Sequence, residues 1–231
     1  MLLPEPLFGG TLIRRYQRFL ADVQLDDGSL VTAHTPNTGS MRGCAVPGNR
    51  VLLSKSANPA RKYRHSWELV HADGYWVGIN TMLPNRLARE GIENGVIGEL
   101  SGYAAIRDEV PYGTGSRIDL LLSGAAGLCY VEVKNVTLVE DGVALFPDAV
   151  TARGLKHLRE LTEVVRQGHR GVNLFVVQRG DGHAVSPADA IDPAYGAALR
   201  EAAQAGVEIL AYRAEVTRTE IRLQKRLPVL L

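Results

Sequence analysis

The sequence predicts an α/β protein of two domains: a small β-barrel over residues 1–80, then an α/β domain with a mixed sheet over residues 81–231. Three observations lead there. The first eighty residues hold five short runs rich in β-branched and aromatic side chains, divided by turn formers and lacking a helical period. Near residue 80 the pattern changes to amphipathic helices alternating with apolar strands. Within that second part, Val172 to Val177 is unbroken by any charge, as a strand covered on both faces requires.

The barrel begins with the run Leu12 to Gln24, closed by the turn signal Asp26-Asp27-Gly28-Ser29 and answered by Leu30 to His34. Pro36-Asn37-Thr38-Gly39-Ser40 is a loop. Arg50 to Lys55 is the third strand, and Trp67 to Ala72 with Tyr75 to Ile79 form a hairpin about Asp73-Gly74. Five strands in so short a span fit a Greek-key barrel of the oligonucleotide-binding type, with a simple sandwich as the alternative. Pro84 to Glu93 is then helical, with Leu83, Leu87 and Glu90 near helical spacing and Asn94-Gly95 as its end. Strands follow at Tyr103 to Val110, Arg117 to Leu122 and Leu128 to Val133. Thr151 is placed to cap a helix whose apolar face is Leu155, Leu158, Leu161, Val164 and Val165. After Val172 to Val177 come a helix over Pro193 to Ala205 and a core strand, Val207 to Tyr212.

Composition is that of a globular chain, 45% hydrophobic and 22% charged. No apolar run nears the ~18 residues that cross a bilayer. Met1 to Leu12 has two prolines and no basic start, unlike a secretion signal. The expectation is a cytoplasmic protein with no membrane partner, whose Cys44 and Cys129 are free thiols. The net charge of +1 hides a basic segment: Arg42, Arg50, Lys55, Arg61, Lys62 and Arg64 with no acid among them.

Chemistry concentrates in Arg117-Ile118-Asp119-Leu120-Leu121-Leu122 and Leu128-Cys129-Tyr130-Val131-Glu132-Val133-Lys134. A hairpin turning between Ala125 and Ala126 sets Asp119 opposite Glu132, with Cβ atoms ~5 Å apart. Lys134 then points from the same face as Glu132. Two facing carboxylates in apolar strands repel and are poorly solvated, so the pair is costly as structure alone. A hard divalent cation, Mg²⁺ or Mn²⁺, reverses the sign of that cost and activates water or phosphate. Lys134 is the candidate for positioning that water or stabilising phosphate charge. The plain alternative is a solvated Glu-x-Lys strand face.

Those segments, continued through Asn135-Val136-Thr137, resemble the PD-(D/E)xK nuclease superfamily, with Ile118 in place of its proline. The whole chain is more closely similar to the sugar fermentation stimulation protein A (SfsA) family. The similarity runs through His34-Thr35-Pro36-Asn37-Thr38-Gly39-Ser40-Met41, Asn80-Thr81, Pro84-Asn85-Arg86-Leu87 and Phe146-Pro147-Asp148-Ala149-Val150-Thr151. It continues in Arg153-Gly154-Leu155-Lys156-His157-Leu158 and Val176-Val177-Gln178-Arg179. The resemblance implies a bacterial DNA-binding protein with an oligonucleotide-binding barrel and a nuclease-like hydrolase domain. Asp119 and Glu132 are then metal ligands and Lys134 the catalytic lysine. It implies a further acid too, for which Glu90 and Glu109 are candidates. Gln178 either reaches the site or caps its strand. A non-catalytic regulator of sugar (maltose) metabolism and an RNA-processing nuclease are the alternative functions.

The expected partner is DNA, single- or double-stranded, with RNA second. Arg61, Lys62, Tyr63, Arg64 and Trp67 interleave charge with aromatic rings, as do Arg14, Arg15 and Arg18 with Tyr16 and Phe19; Arg42 and Lys55 extend the basic surface. The loop His34 to Met41 contacts phosphate or closes the barrel. Arg153, Lys156 and His157 hold a phosphate or form an exposed helix face. The apolar tail Leu227 to Leu231 finishes the core or joins a homodimer.

Overall fold

The computed structural model describes residues 1–113 and 115–231. Its amino-terminal part contains β1 (Phe8–Tyr16), β2 (Leu20–Leu25), β3 (Leu30–His34), β4 (Arg50–Lys55), β5 (His65–Ala72) and β6 (Tyr75–Gly78). They neighbour one another in the order β3-β2-β1-β4-β5-β6, and a parallel pairing of β3 with β5 closes the first five into a barrel. The run Leu12 to Gln24 is thus two strands rather than one. Its turn places Gln17 at φ 50° and Arg18 at φ 65°, a conformation that Gly or Asn usually marks. Here tertiary contacts hold it instead. Arg15 donates to the Arg18 carbonyl, and Arg18 Nε donates to the Thr38 carbonyl at 3.0 Å.

Trp67 corrects a second expectation. It is fully buried in the barrel core, with its indole N–H donated to the Leu69 carbonyl at 2.9 Å. It packs there with Leu53 and Val70, while an irregularity in the β4–β5 ladder puts Leu69 in the other cluster, so the Trp67 ring is not available to stack on a base.

The carboxyl-terminal part runs α1 (Pro84–Glu93), β7 (Ala105–Tyr112), β8 (Ser116–Gly124), β9 (Gly127–Val136), β10 (Leu138–Glu140), β11 (Val143–Phe146), α2 (Ala152–Arg166), β12 (Arg170–Val177), β13 (Ala184–Pro187), α3 (Pro193–Gln204), β14 (Glu208–Val216) and β15 (Ile221–Arg226). The main sheet is ordered β15-β14-β12-β9-β8-β7. β12 lies parallel to β9 and β14, and the outer pairings are antiparallel, so the sheet is mixed. One apolar cluster joins α1 to one face, and another joins α2 and α3 to the other. Thr151 caps α2, its side chain accepting the Gly154 N–H. β15 and the small sheet β10-β11-β13 are additions to the sequence-based element order. In β15, Ile221 and Leu223 are buried while Arg222 and Gln224 face out, and its basic residues suit an edge.

Several contacts join barrel and sheet. The guanidinium of Arg179, 1% exposed, binds the Asp181 carboxylate, the Thr137 carbonyl and Asp73 of the barrel. The Asp148 carboxylate accepts the Met41 N–H, and its carbonyl accepts the Ser40 hydroxyl. Leu2 pairs with Glu220, and Leu3 N–H donates to the Thr219 carbonyl. At the other terminus Leu227 is buried, and Leu230 N–H donates to the Val185 carbonyl of β13. Cys44 and Cys129 are buried free thiols. Among the described residues no helix is long and apolar enough to cross a membrane.

Candidate nuclease-like site

The site forms where the β8–β9 ladder stops. Paired positions run from Gly124↔Gly127 to Leu120↔Val131, a register in which Asp119 comes next opposite Glu132. In place of the next backbone bond, Asp119 Oδ2 accepts the Val133 N–H at 2.7 Å. On the other side, the β7–β8 ladder passes from Asp108↔Leu120 to Val110↔Ile118, omitting the position between them. The residue omitted from β7 is Glu109, at φ 51°. Asp119 therefore sits in a split of the sheet, and Asn85 at the start of α1 donates to its Oδ1 at 2.8 Å.

Glu132 is 2% exposed. Its Oε1 receives Lys134 Nζ at 2.6 Å and the His157 Nδ1 from α2. Arg153 Nε donates to His157 Nε2 at 3.4 Å, which leaves Nδ1 as the proton-bearing nitrogen and the donor to Glu132. Glu132 Oε2 is buried and has no hydrogen-bond partner. Burial opposes ionisation of Glu132, but the His157 hydrogen bond and the Lys134 charge outweigh it and hold its pKa below the ordinary carboxylate value. Asp119 goes the other way. Burial, and then the charge of Glu132, push its pKa up to about 6, against the pull of the Val133 N–H and Lys134. Burial and the charges of Glu132, Glu160 and Asp119 likewise raise the pKa of the Tyr112 phenol.

The two candidates for a further acid fare differently. Glu109 stays near, its carboxylate 3.4 Å from the same Asn85 amide that binds Asp119, and it is exposed. Glu90 is drawn elsewhere, to the amino group of Met1 at 3.1 Å. Among the described residues no group of three or more His, Cys, Asp and Glu side chains is arranged to hold a metal ion. Gln178 is fully buried beside the site's strand, donating to Asn135 Oδ1 at 2.6 Å. On α2, Arg153 and Lys156 are exposed while His157 turns inward, so the three do not share one face. Lys156 pairs with Glu160 at 3.7 Å.

Sequence reasoning passed over Asn85, Tyr112, Asn173 and Tyr195. Asn85 lies within the motif Pro84-Asn85-Arg86-Leu87, which is its signal. Asn173 pairs in register with Glu132 across β12 and β9, and Tyr195 responds to the charge of Glu132. Both are buried, and neither has a sequence signal that separates it from the core.

The basic residues lie at several places on the barrel. Arg64 is exposed and bonded to the Ser56 carbonyl, and half-buried Arg61 donates to Ser66 Oγ at 2.9 Å. Lys62 lies over the Tyr63 ring and Lys55 over Phe8. Arg42 is exposed in the loop before β4. Arg14 is paired with Asp22, at 2.8 Å, and Arg18 stands at the β1–β2 turn. A cleft of about 300 Å³ between the domains is lined by Asn37, Thr38 and Thr81 on one side and by Lys134, Asn135 and Asp148 on the other.

Comparison with known proteins accounts for nearly all of the chain. Residues 13–79 match the family described as the SfsA N-terminal OB domain, and residues 82–220 match the sugar fermentation stimulation protein RE domain. The sugar fermentation stimulation protein homolog of Citrifermentans bemidjiense is 80% identical over 231 residues, covering all of both chains. That of Geobacter sulfurreducens is 72% identical over 230 residues, 100% of this chain and 99% of the relative. The structure of Pyrococcus furiosus SfsA in complex with Ca²⁺ superposes with a TM-score of 0.92 at 29% identity, over 100% of this chain and 98% of that one.

Proposed function

The chain belongs to the sugar fermentation stimulation protein family, and from that premise we propose that it binds DNA largely without regard to sequence and hydrolyses phosphodiester bonds at Asp119, Glu132 and Lys134. One observation carries the catalytic half of this reading. Two carboxylates share a split in the sheet, one with its pKa pushed up to about 6 and the other with a buried oxygen that has no partner.

That donor set fits Mg²⁺ or Mn²⁺. The ligands are hard oxygens, and such an ion keeps several waters, so two protein carboxylates suffice. The calcium named for the P. furiosus relative supports a hard cation here. A bound ion supplies Lewis acidity to a phosphate oxygen and a water of lowered pKa. Asn85 orients Asp119, and His157 orients Glu132. The Lys134 ammonium, anchored on Glu132 at 2.6 Å, offers its remaining protons to the phosphate oxygen where charge develops. The basic residues of the barrel hold the DNA backbone by charge.

Incubation of the protein with Mg²⁺ or Mn²⁺ and linear, nicked and single-stranded DNA tests this. Cleavage should fall by about a hundred-fold or more in Lys134→Ala and Asp119→Ala. If the wild type cuts none of these substrates, the hydrolase half is wrong. A second reading, DNA binding without cleavage, is favoured by one feature: Lys134 and His157 both engage Glu132 Oε1, which already balances its charge.

A further inference from the structure

The cleft between the domains goes beyond the metal-binding carboxylates. Its one wall is a barrel loop, Asn37 to Gly39, and the other is the end of β9 that carries Lys134 and Asn135. The loop is held in shape. Asn37 Oδ1 accepts the Gly39 N–H, Arg15 donates to the carbonyls of Asn37, Gly39 and Ser40, and Thr81 donates to the Pro36 carbonyl. From the opposite domain, Asp148 binds the Met41 N–H and the Ser40 hydroxyl. Such bracing from both domains preserves an opening of about 300 Å³ rather than letting it collapse.

Lys134 is 8% exposed and lines this cleft. A phosphate must come within ~3 Å of its Nζ to share a proton. A duplex is too broad to enter a recess of about 300 Å³, so a strand must part from its partner to bring a phosphate to Nζ there. A single nucleotide, unpaired and turned in, can enter, as in enzymes that act on extruded bases.

The barrel surface leads to the same place. Arg61 lies close enough to His34, the last residue of β3, to act on its charge. The loop begins there, and Phe19, whose carbonyl accepts the Thr35 N–H, shows a 42% exposed ring at its root. Arg18 lies beside Thr38. Cation, exposed ring and cation in succession match a path for a backbone with stacked bases.

We propose that the interdomain cleft is a subsite for one nucleotide of single-stranded DNA, reached along the Arg61–Phe19–Thr38 path, and that intact duplex DNA is not admitted to Lys134. The subsite rests on the DNA-binding reading above and specifies the form of its substrate.

Fluorescence anisotropy with a labelled oligonucleotide, alone and annealed to its complement, tests this at one salt concentration with EDTA present to prevent cleavage. The single strand should bind at least about ten-fold more tightly than the duplex, since entry of a paired nucleotide costs its unpairing. Thr38 is exposed, so Thr38→Trp fills the cleft and Thr38→Glu charges it without touching the core. Both variants should weaken single-strand binding about ten-fold and leave the weaker duplex binding unchanged; thermal melting verifies that each is folded. Equal affinity for the two DNA forms, unaffected by either variant, overturns the subsite while DNA binding stands. Failure of the wild type to bind any DNA overturns both readings.

Discussion

Asp119→Asn should change how the metal-free protein responds to pH. The aspartate pKa rises from an ordinary 3.8 to about 6, chiefly through burial and then through the charge of Glu132. A carboxyl with a raised folded-state pKa stabilises the fold below about 3.8, and that contribution fades as pH climbs through about 6. At roughly 1.36 kcal/mol per pKa unit, the full loss is about 3 kcal/mol. Asparagine keeps an oxygen for the Val133 N–H and never ionises. The stability difference, variant minus wild type, should therefore grow by about 2–3 kcal/mol between acid and mildly alkaline solution. Urea unfolding followed by circular dichroism in EDTA, from pH 4 to pH 8, measures it. Mg²⁺ should restore the wild type at pH 8 and do little for the variant. A difference that stays flat with pH, or shrinks as pH rises, would refute the claim that Asp119 is held at electrostatic cost.

Three other outcomes are expected. Replacing Arg61, Lys62 and Arg64 together by alanine should lower the slope of log affinity against log salt by up to about 3 for any DNA sequence, as read by anisotropy across a salt series. Trp67→Ala should cost about 3–5 kcal/mol and lower the melting temperature, because it empties the barrel core. Arg179→Ala should cost about 3 kcal/mol in urea unfolding, because it leaves the Thr137 carbonyl and the Asp181 carboxylate without their shared cation.

The β8–β9 hairpin was legible because apolar runs flank Gly124-Ala125-Ala126-Gly127, so its register follows from the turn. The pairing of Lys134 with Glu132 then follows from strand alternation. His157 shows the limit. In sequence it reads as one of three polar residues on a helix start, and only the packing of α2 on the sheet turns it to Glu132 while Arg153 and Lys156 stay outside. Trp67 is not legible as core, because a basic-aromatic cluster looks the same whichever face of the strand the ring occupies. The Gln17-Arg18 turn was invisible because its left-handed backbone is held by Arg15 and Thr38 rather than by its own residue types. Glu90 sits at a plausible helical position, yet its partner is the amino group of Met1, 89 residues earlier.

The pairing of Leu2 with Glu220 has a topological consequence. The chain starts on the carboxyl-terminal sheet, leaves to build the barrel, and returns at α1. The barrel is thus tethered at two points, like a handle riveted at both ends, and not strung on one linker. A protease cut near Met82, where the side chain is exposed, should yield two pieces on a denaturing gel that still elute together under native conditions.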